Sequence, residues 1–212
     1  MQIIAMLTML IDHVGFVFFP ESAAWRIIGR IAFPLYAYGI VQGFLRTRSR
    51  PNYLNRLLML ALISQVPYML GLQVLRVNVI GTFVVCLAAL IWIDRCQSKW
   101  AGVCIAAVAA ALLEFIPFDY GAYGLLLILM YRYLPQAYWI AVHFVLNVGY
   151  FYLNGWEIQF FSLIPTVFLA YSKQLAEWKR GFGYRVPNWL WRSFYPAHLF
   201  VLAVIVAIRE YG

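Results

Sequence analysis

Nine apolar segments dominate the sequence, each close to the length that an α-helix needs to cross a bilayer. A helix requires about 20 mostly apolar residues to span about 30 Å of hydrocarbon. Short polar loops separate the segments, which lie near residues 3–19, 25–45, 54–72, 77–93, 101–117, 120–134, 137–153, 157–172 and 192–208. The sequence therefore predicts an all-α fold, a polytopic transmembrane helical bundle of about nine spans, with one domain covering residues 1–212.

The composition excludes an ordinary soluble domain. Hydrophobic residues make up 65% of the chain and charged residues 11%, against about 45–50% and 25% in soluble proteins. The first segment has no basic stretch before it and contains Asp12 and His13, so we interpret it as a retained first helix and not as a signal peptide. The three cysteines have no metal-ligand spacing, so we expect free thiols and no bound metal.

The positive charges alternate along the chain in a way that predicts topology. Five of the eight acidic residues fall in one set of loops, whereas twelve of the sixteen Lys and Arg residues fall in the other set. The basic set contains Arg46, Arg48, Arg50, Arg56, Arg95, Lys99, Arg132, Lys173, Lys179, Arg180, Arg185 and Arg192. The positive-inside rule makes that set cytoplasmic. We therefore expect a cytoplasmic N-terminus, an outer C-terminus and no nucleic-acid partner, despite a net charge of +8.

The segment 173–191 is the one substantial predicted loop. It mixes Trp, Tyr and basic residues, which favours an amphipathic stretch on the cytoplasmic face of the membrane. A plain connecting loop explains the same composition.

Charged residues also occur inside the first two predicted spans. Asp12 and His13 lie about 10 Å from the outer end of the first span, and Arg30 lies about 8 Å from the outer end of the second, at 1.5 Å per residue. A charge at such depth needs a partner or a wet cavity. We therefore predict an ion pair between Asp12 and Arg30, with Arg26 on the same helical face as Arg30. The pair is compatible with a lock for the hairpin or with a functional site.

Polar residues at helical spacing occur in four other spans. They are Asn78 and Thr82 in the fourth span, Asp119 at the start of the sixth, His143 and Asn147 in the seventh, and His198 in the ninth. Each alone is typical of a hydrogen bond between helices. Together they are also compatible with a polar passage between the two faces of the membrane.

His13 and the neighbouring charges allow acyl-transfer chemistry. A neutral histidine acts as a general base toward an amine or a hydroxyl. Arg30 is suited to stabilise a developing oxyanion or to orient an anionic substrate. Arg46, Arg48 and Arg50 form a dense basic patch, which either binds the phosphates of a donor or only determines topology.

Several runs of the sequence resemble the TraX family of membrane proteins, and the resemblance covers nearly the whole chain. The most specific motif is IDH followed by GRIAFP. The other runs are MLTMLIDHVG, WRIIGRIAFPLYAYGIVQGFLRT, YLNRLLMLALISQVPY, NVIGTF, IDR, FDYGAYGLLLIL and FYPAHL. The family includes the F-pilin N-acetyltransferase and is similar to membrane acyltransferases with a functional histidine on the first helix.

The resemblance implies an acetyltransferase in the bacterial inner membrane that uses acetyl-CoA as donor. It makes His13 the catalytic histidine, with Asp12 and Arg30 beside it. The residues expected to bind acetyl-CoA or the acceptor are Arg26, Arg46, Arg48, Arg50, Asn78, Asp119, His143 and His198. The expected partners are the lipid bilayer, acetyl-CoA and an acceptor, which is a peptide, a saccharide or a small molecule; the acceptor and the oligomeric state stay open.

Two other functions are compatible with the same residues. A transporter or lipid-handling protein would use the buried charges as a path for protons or substrate. A structural membrane subunit would instead pack a partner helix against Asp12 and His13.

Overall fold

The computed structural model describes residues 1–171 and 186–211, whose regular structure is helical. Two 3-10 segments, Gln136–Tyr138 and Glu157–Ser162, accompany the α-helices. The helices are α1 (Gln2–Phe18), α2 (Ala23–Gly29), α3 (Ala32–Arg46), α4 (Arg50–Leu72), α5 (Val79–Ile93), α6 (Lys99–Phe115), α7 (Gly121–Tyr133), α8 (Trp139–Asn154), α9 (Leu163–Ala170) and α10 (Asn188–Tyr211). The predicted all-α class is therefore confirmed for the described residues, which contain one isolated β-bridge and no strand.

Every predicted span coincides with a helix, but two of them are discontinuous. The second contains both α2 and α3, and the eighth contains the second 3-10 segment and α9. The last helix begins at Asn188, four residues before the predicted boundary. The predicted amphipathic loop lies mostly outside the described residues, because residues 172–185 are not among them.

Two helical stretches of the described chain are long and apolar enough to cross a membrane. They are Ala23–Arg46, with 24 residues, and Trp189–Glu210, with 22 residues. The apolar helices Gln2–Phe18 and Val79–Ile93 and the stretch Glu157–Ala170 are shorter. These helices and the apolar composition indicate a membrane-associated protein. The count of nine spans and the orientation of the N-terminus stay predictions.

The described chain divides into two compact units, each built from segments that are distant in sequence. The first unit comprises Met1–Tyr38 and Met130–Phe194, apart from the residues not described. The second comprises Gly39–Leu129 and the described residues from Tyr195 onward. The prediction of a single domain is not tested by this division and stays a prediction.

A tight hairpin of α1 and α2 begins the first unit. The rings of Phe19 and Trp25 stack at 4.8 Å and nearly parallel across the turn. A Cβ atom at Gly15 would overlap the Cβ of Trp25, so the absence of a side chain at Gly15 allows the helices to approach closely. Later in the same unit, α8 packs against the second 3-10 segment and against α9.

In the second unit, α5 packs against α4 and α6, and Asn78 fixes its beginning. Asn78 is the N-cap of α5 and not a residue within it, as its Oδ1 accepts a hydrogen bond from the backbone N–H of Gly81 at 3.0 Å. Its Nδ2 donates to the carbonyl oxygen of Ala61 and to Gln65 Oε1, both at 2.8 Å. One fully buried amide thus caps α5 and ties it to α4.

We expect Asn78→Ala to lower the free energy of unfolding by about 1–3 kcal/mol, because it removes the cap of α5 and the buried hydrogen bond to the carbonyl of Ala61. Ser98→Ala is the matched control, since Ser98 is the N-cap of α6 and forms no side-chain capping bond. Thermal unfolding of both variants in detergent measures the difference. Equal melting temperatures would contradict the assigned role of Asn78.

Candidate functional site

The α1–α2 hairpin places two arginines against one buried carboxylate. Asp12 Oδ1 accepts hydrogen bonds from Arg26 Nη1 at 2.9 Å and from Arg30 Nη2 at 3.2 Å. The Asp12 and Arg30 side chains are only 13% and 14% exposed, and that of Arg26 is 28% exposed. The predicted pair of Asp12 and Arg30 is therefore present, and Arg26 joins it as a second cation.

Arg30 lies at a break between helices, which the sequence analysis treated as one continuous span. The helix α2 ends at Gly29, and α3 begins at Ala32. Pro34 explains the break, because proline has no N–H to donate to the carbonyl of Arg30 and its ring clashes with that carbonyl. Arg30 is the C-cap of α2 and keeps right-handed helical backbone angles, with its N–H bonded to the carbonyl of Arg26, so its guanidinium meets Asp12 from the end of α2.

Gly29 makes room for this ion pair. A Cβ atom at position 29 would overlap the carboxylate of Asp12. The guanidinium of Arg26 also lies 5.1 Å from the centre of the Phe16 ring, in cation–π range. Asp12, Arg26 and Arg30 are thus fixed by their ion pairs, by the close approach of Gly29 and by the Phe16 ring.

Arg30 reaches a second polar partner far along the chain. Its Nη1 donates to Gln159 Oε1 at 3.2 Å, and Gln159 is 2% exposed. Gln159 lies in the 3-10 segment Glu157–Ser162, which packs against α2. Gln159 is not among the site residues predicted from the sequence.

Beyond Gln159, five buried residues form a hydrogen-bonded group that we call the His143 cluster. It consists of Tyr131, His143, Asn147, Ser162 and Thr166, and none of the five is more than 4% exposed. His143 Nε2 lies 3.1 Å from Ser162 Oγ, and its Nδ1 lies 2.7 Å from Thr166 Oγ1. The Thr166 hydroxyl lies 2.6 Å from the Tyr131 hydroxyl.

Asn147 connects the cluster to Gln159. Its Nδ2 donates to the Ser162 hydroxyl and to the backbone carbonyl of Gln159, both at 3.3 Å. Gln159 therefore connects the ion pair to the cluster: its side chain bonds to Arg30, and its backbone carbonyl bonds to Asn147. All of these residues belong to the first unit.

His13 is also in the first unit and is 8% exposed. It directly follows Asp12 on α1, so the two side chains leave the helix about 100° apart. Five of the eleven predicted site residues share this unit, namely Asp12, His13, Arg26, Arg30 and His143.

The other six predicted residues belong to the second unit, and three of them are tied to its fold. Asn78 caps α5, as described above. Asp119 precedes α7, which begins at Gly121, and its backbone carbonyl accepts a hydrogen bond from the Thr82 hydroxyl. His198 is 8% exposed, and its ring meets the Tyr195 ring edge-on at 5.7 Å.

The basic patch of the second unit is not uniform. Arg46 and Arg48 are exposed. Arg50 instead forms an ion pair of 3.1 Å with Asp94, and its guanidinium lies 4.3 Å from the centre of the Phe44 ring. Arg50 thus has a structural partner, whereas Arg46 and Arg48 present their side chains at the surface.

A signal for the missed residues is present in the sequence. Gln159, Ser162 and Thr166 are spaced by three and four residues in an otherwise apolar run, the spacing that puts side chains on one helical face. The described residues contain no group of three or more His, Cys, Asp or Glu side chains that could hold a metal ion.

Comparison with known proteins shows one family match. Residues 1–206 match the family described as TraX protein. The chain is also 33% identical over 70 residues to a protein from Dichelobacter nodosus named "Probable fimbrial assembly protein FimC, serogroup H1". That match covers 31% of this chain and 28% of the relative, so the chain spans little more than a quarter of the relative's length. No solved structure matches the chain.

We expect Gly29→Ala to destabilise the protein by about 1–3 kcal/mol, because the added methyl group displaces the Asp12 carboxylate from its arginines. Gly39→Ala is the matched control, since a Cβ atom at Gly39 meets nothing within 4 Å. Thermal unfolding of both variants in the same detergent measures the effect. A Gly29 variant as stable as the Gly39 variant would contradict the tight approach of α2 to Asp12.

Proposed function

Because the chain belongs to the TraX family, we propose that it is a membrane-embedded acetyltransferase. It transfers an acetyl group from acetyl-CoA to an amine or hydroxyl acceptor. A pilin N-terminus is the first acceptor to test, since the resemblance to the F-pilin N-acetyltransferase and the name of the fimbrial assembly relative both favour it. A saccharide or a small molecule is chemically compatible with the same site.

The observation that carries this proposal is the buried Asp12 carboxylate, held by two guanidiniums, directly before His13 on α1. In the proposed reaction, His13 removes a proton from the acceptor amine or hydroxyl while the acceptor attacks the thioester carbonyl and forms the new N–C or O–C bond. The C–S bond then breaks, and CoA leaves as a thiol that takes the proton back from His13. Arg30 stabilises the negative charge that develops on the carbonyl oxygen. Asp12 keeps the guanidinium in place and balances part of the positive charge.

We assign the phosphates of acetyl-CoA to Arg46 and Arg48. Both are exposed, and guanidinium groups bind phosphate through paired hydrogen bonds. Arg50 is the weaker candidate for this role, because it is already paired with Asp94. Five other residues were predicted to bind acetyl-CoA or the acceptor and have structural contacts in the described chain. They are Arg26, Asn78, Asp119, His143 and His198. We propose that they line the substrate site in addition to these contacts.

We further propose nine spans in the bacterial inner membrane with a cytoplasmic N-terminus. The agreement between the nine predicted segments and the helices supports this topology, as does the basic set of loops. Reporter fusions test it. A fusion after Arg48 should report a cytoplasmic position and a fusion after Leu75 an outer position, and the reverse pattern would overturn the orientation.

We expect His13→Ala to lower kcat for acetyl transfer by about 100- to 10,000-fold, the usual contribution of a general base. The assay follows labelled acetyl-CoA with the full chain in nanodiscs and a synthetic pilin N-terminal peptide as acceptor. Thr8→Val is the matched control, since Thr8 lies on the same helix and is 7% exposed, against 8% for His13. The control should retain activity, because among the described residues the Thr8 hydroxyl donates to the backbone carbonyls of Ile4 and Ala5 in its own helix.

Full activity in the His13 variant would overturn its assignment as general base. A wild-type protein that binds no CoA species and carries a substrate or protons across liposomes would favour the transporter interpretation instead. Peptide, saccharide and small-amine acceptors are assayed in parallel. A variant that fails with one acceptor class is thereby distinguished from a variant that transfers no acetyl group to any acceptor.

A further inference from the structure

We propose that Gln159 is a positioning residue that fixes the Arg30 guanidinium against Asp12, and that the His143 cluster holds Gln159 in place. The proposal deepens the function proposed above and rests on it for its catalytic consequence. Its structural part, the link between Gln159 and the ion pair, is testable separately.

The Arg30 guanidinium forms hydrogen bonds through both of its terminal nitrogens, to Asp12 and to Gln159. Nη2 lies 3.2 Å and 3.4 Å from the two Asp12 carboxylate oxygens, and Nη1 lies 3.2 Å from Gln159 Oε1. Its Nε also donates to the backbone carbonyl of Arg26 at 3.3 Å. Because the guanidinium is planar and rigid, a bond to Nη1 restricts the direction in which Nη2 points. Gln159 therefore limits the rotation of Arg30 about its contact with Asp12.

Gln159 is itself held by its backbone. Its carbonyl oxygen accepts a hydrogen bond from Asn147 Nδ2 at 3.3 Å, and its N–H donates to the carbonyl of Trp156 at 3.1 Å. Three residues later, Ser162 bonds to both Asn147 and His143. The 3-10 segment is thus attached at two points to polar side chains of α8.

In this proposal the link between Gln159 and the His143 cluster fixes geometry. The Gln159 backbone carbonyl accepts a hydrogen bond from Asn147, a member of the cluster. A shift of Asn147 would therefore move the peptide group that carries the Gln159 side chain. We infer that the cluster acts as a buried support for the 3-10 segment.

This support matters for the proposed reaction because Arg30 stabilises the oxyanion only when its N–H groups point at the carbonyl oxygen of the thioester. A displacement of about 1 Å in a positioning group can reduce the rate about 100-fold. Without the bond to Gln159, Arg30 keeps its attraction to Asp12 but loses its fixed orientation. The effect should fall on kcat and leave the binding of acetyl-CoA unchanged.

The test uses Gln159→Leu and Gln159→Glu in the full chain in nanodiscs. The leucine variant should lower kcat about 10- to 100-fold while KM for acetyl-CoA stays within about 2-fold. The glutamate variant should recover most of kcat, because a carboxylate oxygen can accept the same hydrogen bond from Nη1. Thr8→Val again serves as the control for removing a buried polar group from the same unit. Wild-type kcat in the leucine variant, or no recovery with glutamate, would overturn the proposal.

A double-mutant cycle separates this proposal from the proposed function. Melting temperatures are measured for Asp12→Asn, Gln159→Leu and the combination. The double variant should lose at least about 2 °C less than the sum of the two single losses, because both changes act on Arg30. Additive losses would overturn the positioning role even in an active enzyme. Non-additive losses in a protein without acetyl transfer would support the link and overturn only the acetyltransferase function.

Discussion

The carboxylate of Asp12 is the group on which the described site depends. A charge in an apolar helix is costly unless it is paired and hydrogen-bonded, and Asp12 meets both conditions with Arg26 and Arg30. The neighbouring sequence fits this need, because Gly29 gives the carboxylate room and Arg30 meets it from the C-cap of α2. The α1–α2 hairpin thus provides both the cations and the space that the Asp12 carboxylate requires.

The positions of the helices followed from the sequence because apolar length and short polar loops define them directly. The pair of Asp12 and Arg30 also followed, since equal depth on two adjacent helices leaves each charge few other partners. The second cation, Arg26, was placed on the same helical face as Arg30 but was not predicted as a partner of Asp12, because it lies one turn nearer the outer end of the span. The break in the second span was also not predicted. Only the position of Pro34, four residues after Arg30, contains that information, and a continuous helix was the simpler interpretation of so apolar a run.

Gln159 shows why the rest of the site was not predictable. It is separated from Arg30 by 129 residues, and no periodicity relates two such distant segments. Its spacing with Ser162 and Thr166 marks a polar face, but spacing alone does not say what that face contacts. Asn78 and Asp119 agree with the first of the two interpretations given for them, because both take part in hydrogen bonds between elements: Asn78 donates to the carbonyl of Ala61 on α4, and the Asp119 carbonyl accepts from Thr82 on α5.

The hydrogen bonds of the first unit indicate a structural role for several of its buried polar residues. His143 forms hydrogen bonds with Ser162 and Thr166, and Asn147 donates to Ser162, so these side chains join α8 to the second 3-10 segment and to α9. Such groups act as interhelical contacts that an apolar environment strengthens. The polar residues of the first unit therefore divide into a supporting cluster and a charged group at Arg30 and Asp12, and His13 follows the charged group on α1.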